Sequence, residues 1–168
     1  MQLHKRLFAL FKGDVKDYSR YIDYNEFVHK YGLNKNSDYI LGYYTHLIAD
    51  DIWLKGFYLP WLKNRMEADE NVSNQYHNDF QLLNGKLLEY YGYRQQLSDA
   101  LNRSVTIIET EEVKSSDIKK LIPYVLSDMD YNRNNIEKPL TVFTLEQIIG
   151  YIETSVDKGL ICIKSLKI

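Results

Sequence analysis

The spacing of apolar side chains along the chain is helical almost throughout. Apolar residues recur three and four positions apart in the stretches 2–12, 24–31, 38–53, 72–91, 94–102 and 117–129, and in a last stretch that follows Thr144. Val105–Ile108 is the one stretch of strand-like composition, and without a clear partner it is expected to be an extended surface linker. The pattern predicts an all-α fold, a single-domain bundle of about six helices over residues 1–168.

Polar residues mark where these helices should start. Asp23 can cap the helix 24–31, Ser37 or Asp38 the helix 38–53, and Ser116 the helix 117–129. The strongest signal is Thr144 with Gln147 three residues later, which is a capping box. The starts of the helices should therefore be well defined.

Glycine and proline mark where the helices should end. Glycines at positions 13, 32 and 92 close the first, second and fourth stretches, and Gly56 should allow a break after the central helix. Pro60 fits the first turn of a following segment better than a helix interior. We therefore expect the central helix to end near Lys55.

The central helix, D-Y-I-L-G-Y-Y-T-H-L-I-A-D-D-I-W over residues 38–53, sets a polar pair among apolar residues. Gly42, His46, Asp50 and Trp53 share one face, because residues three and four apart lie above one another. The other faces carry core residues, namely Ile40, Leu41, Tyr44, Leu47, Ile48 and Ile52. The His46–Asp50 pair is either a structural hydrogen-bonded pair or half of a metal site.

Spacing alone favours the structural interpretation of this pair. With this many acidic residues, the four histidines give an H-x-x-x-[DE] match about half the time by chance, and a metal needs more than two ligands. Asp51 points about 100° away from Asp50 and would support a site rather than hold an ion. Asp79, in Y-H-N-D-F-Q-L-L-N, is most simply part of a solvated helix face.

Composition narrows the function classes. The chain is 45% apolar and 26% charged, with a net charge of −2 and no long run of one sign, which argues against nucleic-acid binding through bulk positive charge. No stretch approaches the roughly 18–20 apolar residues that a membrane helix needs. The single Cys162 excludes an internal disulfide and suggests a reducing, cytoplasmic location. Motifs of serine hydrolases, thiol redox proteins and nucleotide-binding loops are lacking.

Three runs resemble the zinc-dependent phospholipase C-like hydrolases of Gram-positive bacteria. They are Y-I-D-Y-N-E-F-V-H-K-Y, D-Y-I-L-G-Y-Y-T-H-L-I-A-D-D-I-W and Y-H-N-D-F-Q-L-L-N-G-K-L-L-E-Y-Y, within roughly residues 20–92. The resemblance implies an all-helical fold, zinc held by His, Asp and Glu, and hydrolysis of phosphodiester bonds, with a phosphoester small molecule or a phospholipid headgroup as the ligand. By that resemblance His46 and Asp50 are metal ligands.

The chain also departs from that family. It lacks the usual Pro-Asp pair and a second H-x-x-x-E pair, and His4 would have to stand in for a missing N-terminal histidine. The resemblance then implies one zinc ion held by His46, Asp50 and either His4 or Asp79, with Asp79 or Asp51 as the catalytic base or a supporting group. The alternative is a metal-free, non-catalytic relative that acts as a helical binding protein, with its tyrosine-rich surface against a protein partner.

Overall fold

The computed structural model describes residues 10–34, 37–103 and 106–166, and these form an all-α bundle. In chain order the elements are β1 (Phe11–Lys12), β2 (Tyr21–Ile22), α1 (Tyr24–Tyr31), α2 (Asp38–Trp53), a π-helical segment (Leu54–Leu62), α3 (Lys63–Ala68), α4 (Asn71–Tyr91), α5 (Arg94–Asn102), α6 (Ser115–Asp128) and α7 (Leu145–Leu166). Short 3₁₀ turns lie at Gly32–Asn34 and Arg133–Asn135. With the continuous stretch 38–68 counted as one helix, the described residues contain six, and the predicted fold class is confirmed.

The predicted N-terminal helix 2–12 is wrong at its C-terminal end, where the chain forms a strand. Phe11 and Lys12 form β1, which pairs antiparallel with β2. The pairing is extended by the carbonyl of Leu10, which accepts a hydrogen bond from the Asp23 N–H at 2.8 Å. Gly13 turns the chain with φ +71°, and a Cβ there would lie 2.4 Å from the Ser19 carbonyl oxygen. Residues 2–9 of that prediction lie outside the described residues.

The capping predictions are confirmed where side chains decide the helix start. Asp23 accepts a hydrogen bond from the Glu26 N–H at 3.0 Å. Thr144 and Gln147 exchange both bonds of the capping box, at 2.9 and 3.2 Å. At the start of α2, Ser37 takes the predicted N-cap position but its side chain forms no capping hydrogen bond. The helix predicted to start at Asp117 begins at Ser115, with Lys114 in the N-cap position.

The predicted break at Gly56 and helix start at Pro60 are both wrong. The chain continues from α2 through the π-helical segment into α3, with Pro60 inside that segment. In a π-helix each hydrogen bond spans five residues, and the wider turn accommodates a proline ring that would clash with a carbonyl in an α-helix. The apolar side chains of Leu54, Leu59 and Leu62 bury one face of the segment and hold it on the core.

Two clusters of buried side chains form the core. The first lies beneath α2 and contains Leu10, Ile22, Phe27, Ile40, Tyr44, Leu47, Ile48, Leu54 and Leu59. The second lies between the π-helical segment, α4 and α7 and contains Leu62, Val72, Leu83, Val142, Phe143 and Ile148. Helix α7 runs along α2, and a Cβ at Gly159 would lie 3.2 Å from the Thr45 methyl group. Helix α2 is therefore the central element of the bundle.

Helices α5 and α6 contribute little to the core. Neither contains a single buried residue. On the apolar stripe of α6, Leu121 is 50% exposed and Val125 is 37% exposed. On α7, Val156 is 54% exposed. The side of the bundle between α6 and α7 is therefore only partly filled.

Among the described residues, every helix is too short or too polar to cross a membrane.

Candidate functional site

Helix α2 brings His46 and Asp50 together as their spacing predicts. The His46 Nε2 lies 3.3 Å from the Asp50 Oδ2, and the two side chains are 57% and 37% exposed. Burial raises the pKa of the Asp50 carboxyl above its ordinary value, and the neighbouring His46 charge opposes this shift only in part. The pair therefore joins an accessible imidazole to a carboxyl group that is partly buried.

Aromatic rings enclose this pair on two sides. The Tyr43 ring stacks on His46 with centroids 6.2 Å apart and an interplanar angle of 22°. From α7, Tyr151 faces Asp50, and burial together with the Asp50 charge raises the pKa of Tyr151 to about 12. The pair thus lies at the boundary between α2 and α7, where a ligand in the adjoining space would meet it.

Asp51 is a structural anchor. Its side chain is buried, its Oδ1 accepts a hydrogen bond from the Ile22 N–H at 2.9 Å, and its Oδ2 lies 2.6 Å from the Lys55 ammonium group. Both oxygens are therefore engaged, and the carboxylate ties β2 to α2. The sequence indicated that Asp51 points away from Asp50, but not that it would meet a strand 29 residues earlier.

Asp79 is fully buried, not on the solvated helix face that its spacing suggested. Its carboxylate accepts hydrogen bonds from the backbone N–H groups of residues 141–143 at 2.7–3.1 Å. The Thr141 hydroxyl donates a further bond at 3.1 Å. With no exposed surface and its oxygens occupied, Asp79 holds the loop before α7 against α4.

The loop that Asp79 holds contributes Phe143 to an aromatic cluster that sequence reasoning missed. Trp53 stacks on Phe57 with ring centroids 4.5 Å apart, and Phe143 lies 5.4 Å from Trp53. The cluster consists of Trp53, Phe57, Trp61, Tyr76, Phe80, Phe143 and Tyr151. Its members come from the π-helical segment, three helices and the loop before α7, so no local spacing could have revealed the whole cluster.

The described donor set does not fit a zinc site by itself. Catalytic zinc takes three protein ligands and structural zinc takes four. Within residues 10–34, 37–103 and 106–166 no three His, Cys, Asp or Glu side chains converge on one point. His46 and Asp50 supply two donors, Asp51 and Asp79 are engaged elsewhere, and His4 lies outside the described residues.

Two cavities flank His46, and both are largely apolar. The α2–α6 cavity has a volume of about 370 Å³ and lies between His46 and the stripe of α6, where Ile118 and Leu121 line it. The α2–α7 cavity has a volume of about 440 Å³ and is lined on α7 by Val156 and Leu160. His46 and Gly42 line both cavities, so the imidazole stands on the ridge between them.

A third cavity continues this space along α7. The α4–α7 cavity has a volume of about 470 Å³ and shares Ile152 and Val156 with the α2–α7 cavity. Leu97 of α5 and Val125 of α6 close its far side. We call the three adjoining cavities the apolar groove.

The charges on the walls of the apolar groove have one sign. Asp38 and Asp117 line the α2–α6 cavity, and Asp128 lines the α4–α7 cavity. None of the described residues that line the three cavities is lysine or arginine. Basic side chains occur instead in a separate open cleft, where Arg20 and Lys55 contribute to the lining. A phosphate group beside His46 would therefore meet no lysine or arginine among the described residues that line these cavities.

Comparison with known proteins adds no relative. The chain matches no protein-family model, no curated protein and no solved structure. The functional proposals that follow therefore depend on the geometry of the chain itself.

Proposed function

We propose that the chain is a non-catalytic helical binding protein whose working surface is the apolar groove. The observation that carries the proposal is the state of α6, an amphipathic helix whose apolar stripe lines the groove while none of its residues is buried. A contiguous exposed apolar stripe on a folded chain is typical of a place where another molecule binds. A cytoplasmic location and a protein partner belong to the same proposal.

The hydrogen bonds that the buried acidic residues form within the chain support this proposal. Asp51 and Asp79 hold backbone N–H groups in buried positions and offer no free oxygen to a substrate. In the remaining pair, Asp50 lies beside His46, and the His46 imidazole lines two of the cavities, where it can donate to or accept from a bound polar group. It would orient a ligand in the groove.

The test uses the uncharged apolar dye Nile red as a probe of the native chain. The wild-type chain should bind it, and Leu121→Lys or Val156→Lys should weaken binding on the order of tenfold, because each places a charge in the groove. Ile161→Lys is the matched control, since Ile161 is 63% exposed on α7 but lines none of the three cavities. Absence of dye binding by the folded wild type, or an equal loss in all three variants, would overturn the proposal.

A metal-dependent phosphoesterase is the second candidate. The accessible His46–Asp50 pair favours it, together with the resemblance to zinc-dependent hydrolases. It requires at least one further ligand, for which His4 is the remaining histidine that the resemblance implies. No reaction step is assigned, because the described donors do not complete a site.

Metal content and turnover decide between the two candidates. If the second is correct, the purified chain should bind zinc stoichiometrically and hydrolyse a nitrophenyl phosphodiester, and His46→Ala and His4→Ala should abolish both properties. His77→Ala is the control, because His77 faces the Tyr76 ring on α4 and not the pair on α2. Zinc-independent, background-level hydrolysis by the wild type would eliminate the phosphoesterase.

A further inference from the structure

We infer, on the basis of the binding function proposed above, that the occupant of the apolar groove is an amphipathic α-helix of a partner protein with lysine or arginine beside its apolar face. Three properties of the groove lead to this partner: its length, the sign of its charges, and the position of one of its aspartates.

The length of the groove suits a helix of two to three turns. Helix α6 lines it from Ile118 to Met129, and at 1.5 Å per residue these positions are about 16 Å apart. A helix that binds in a groove inserts side chains at positions i, i+3 or i+4, and i+7, which span about 10 Å. Along α6, the α2–α6 cavity and then the α4–α7 cavity offer successive apolar sites, which match a row of such anchors better than one compact ligand.

The sign of the charges selects a basic partner. Asp38 and Asp117 lie at one end of the groove and Asp128 at the other, with no basic residue among the described lining. Carboxylates beside a poorly hydrated apolar surface attract a partner of opposite sign and repel one of like sign. A purely apolar ligand, such as an acyl chain, would leave these carboxylates without partners.

Asp128 adds an independent indication, because it is the last residue of α6. A negative charge at a helix C-terminus opposes the helix dipole and is unfavourable there. Asp38 and Asp117, in contrast, lie in the first turns of their helices, where the dipole stabilises them. A lysine or arginine from the partner beside Asp128 would offset this local cost.

The experiment compares two synthetic peptides with the full-length chain. Both are roughly 18 residues long and carry leucine at the same heptad positions; one has lysine and the other glutamate at the flanking positions. We expect the lysine peptide to bind on the order of tenfold more tightly at low salt, with a Kd that rises as salt is added. It should also displace the dye from the groove.

Variants separate this inference from the binding function on which it depends. Asp117→Asn with Asp128→Asn should reduce the preference for the lysine peptide to near unity. The pair Asp99→Asn with Glu146→Gln should not, since these exposed side chains remove the same charge but line none of the cavities.

The remaining outcomes distinguish the charge of the partner, its helical form and the binding groove itself. Equal binding of both peptides, abolished by Val156→Lys, would overturn the basic partner and leave the groove as a binding site. Dye binding without binding of either peptide would overturn the helical partner. Displacement of the dye by neutral phospholipid vesicles alone would assign the groove to acyl chains. Absence of dye binding would overturn both proposals.

Discussion

The carboxylate of Asp79 accepts hydrogen bonds from three consecutive backbone N–H groups, those of residues 141–143, in a position without solvent exposure. These groups belong to a loop that forms no helical or strand hydrogen bonds of its own at this point. Buried N–H groups without an acceptor cost free energy. Asp79 therefore substitutes for secondary structure where the chain approaches α7.

We expect Asp79→Asn to lower the free energy of unfolding by about 3 kcal/mol, because its amide NH₂ would face N–H donors and leave them without acceptors. Denaturant titration of both proteins measures the difference. Asp99→Asn is the control, since Asp99 is exposed and accepts a bond only from the Gln95 side chain, and it should change stability by less than about 0.5 kcal/mol. Similar losses in the two variants would show that Asp79 is not an anchor.

The stability of the folded chain should depend on pH through Asp50, the partner of His46. Burial raises the pKa of Asp50 above its ordinary value of 3.8, so above that pH the folded chain binds more protons than the unfolded chain. Ionisation of Asp50 therefore lowers stability as pH rises through this window. Asp50→Asn should raise Tm at pH 7, and the gain should shrink as the pH falls towards 3.8.

Thermal unfolding of the wild type, Asp50→Asn and Asp99→Asn across this pH range tests the expectation. The Asp99 variant reports the effect of removing an exposed charge. A gain for Asp50→Asn that is constant with pH would show that the carboxyl group is not penalised by burial.

Residue-scale roles were the part of the candidate site that sequence could not provide. The helical spacing of His46 and Asp50 was enough to place them together, since both partners lie on one helix. The partners of Asp79 lie 62–64 residues further along the chain, and the partner of Asp51 lies 29 residues earlier. A carboxylate with distant backbone partners has the same local pattern as one that holds a metal ion.

At the scale of elements, the π-helical segment Leu54–Leu62 determines how α2 and α3 are joined. Sequence rules place glycine and proline at helix ends, and here they failed because a change of hydrogen-bond register absorbs the proline. The capping rules succeeded at Thr144 and Gln147, where these two side chains alone supply the hydrogen bonds of the helix start. Element boundaries were predictable where the signal is local and unpredictable where the core holds the chain.

Two helical glycines should respond in opposite ways to a methyl group. At Gly85 in α4 a Cβ would lie 2.7 Å from the Tyr131 ring, whereas at Gly150 in α7 nothing lies within 4 Å. Gly85→Ala should lower stability by about 1–3 kcal/mol through overpacking. Gly150→Ala should raise it by about 0.5–1 kcal/mol, because alanine has the better helix propensity. Denaturant midpoints of the two variants provide the comparison, and a gain at both positions would contradict the close approach of Tyr131 to α4.

At the scale of the molecule, the bundle has a well-packed half around α2 and a loosely filled half around α5 and α6. Helix periodicity predicted that both halves are helical. It did not predict that no residue of α6 would be buried, because an amphipathic stripe has the same pattern whether it meets a core or a partner.

Hydrogen exchange should distinguish the two halves. Amide groups in α5 and α6 are expected to exchange faster than those in α2, because few buried contacts oppose their local opening. Addition of the lysine peptide should slow exchange in α6 and leave α1 unchanged. If the amides of α6 exchanged as slowly as those of α2 in the free chain, the exposed stripe of α6 would not lower the local stability of that helix.

The open groove also determines how the stability of the chain depends on temperature. Unfolding raises the heat capacity by about 12–15 cal/mol/K per residue in ordinary globular domains, chiefly because buried apolar surface becomes hydrated. Leu121, Tyr93 and Val156 line this groove and are already at least half exposed in the folded chain, so their hydration contributes less to this increment. Calorimetry should therefore give a smaller increment and a flatter stability curve than the chain length suggests. A ligand that fills the groove would bury this apolar surface, and its binding should therefore have a negative heat capacity change.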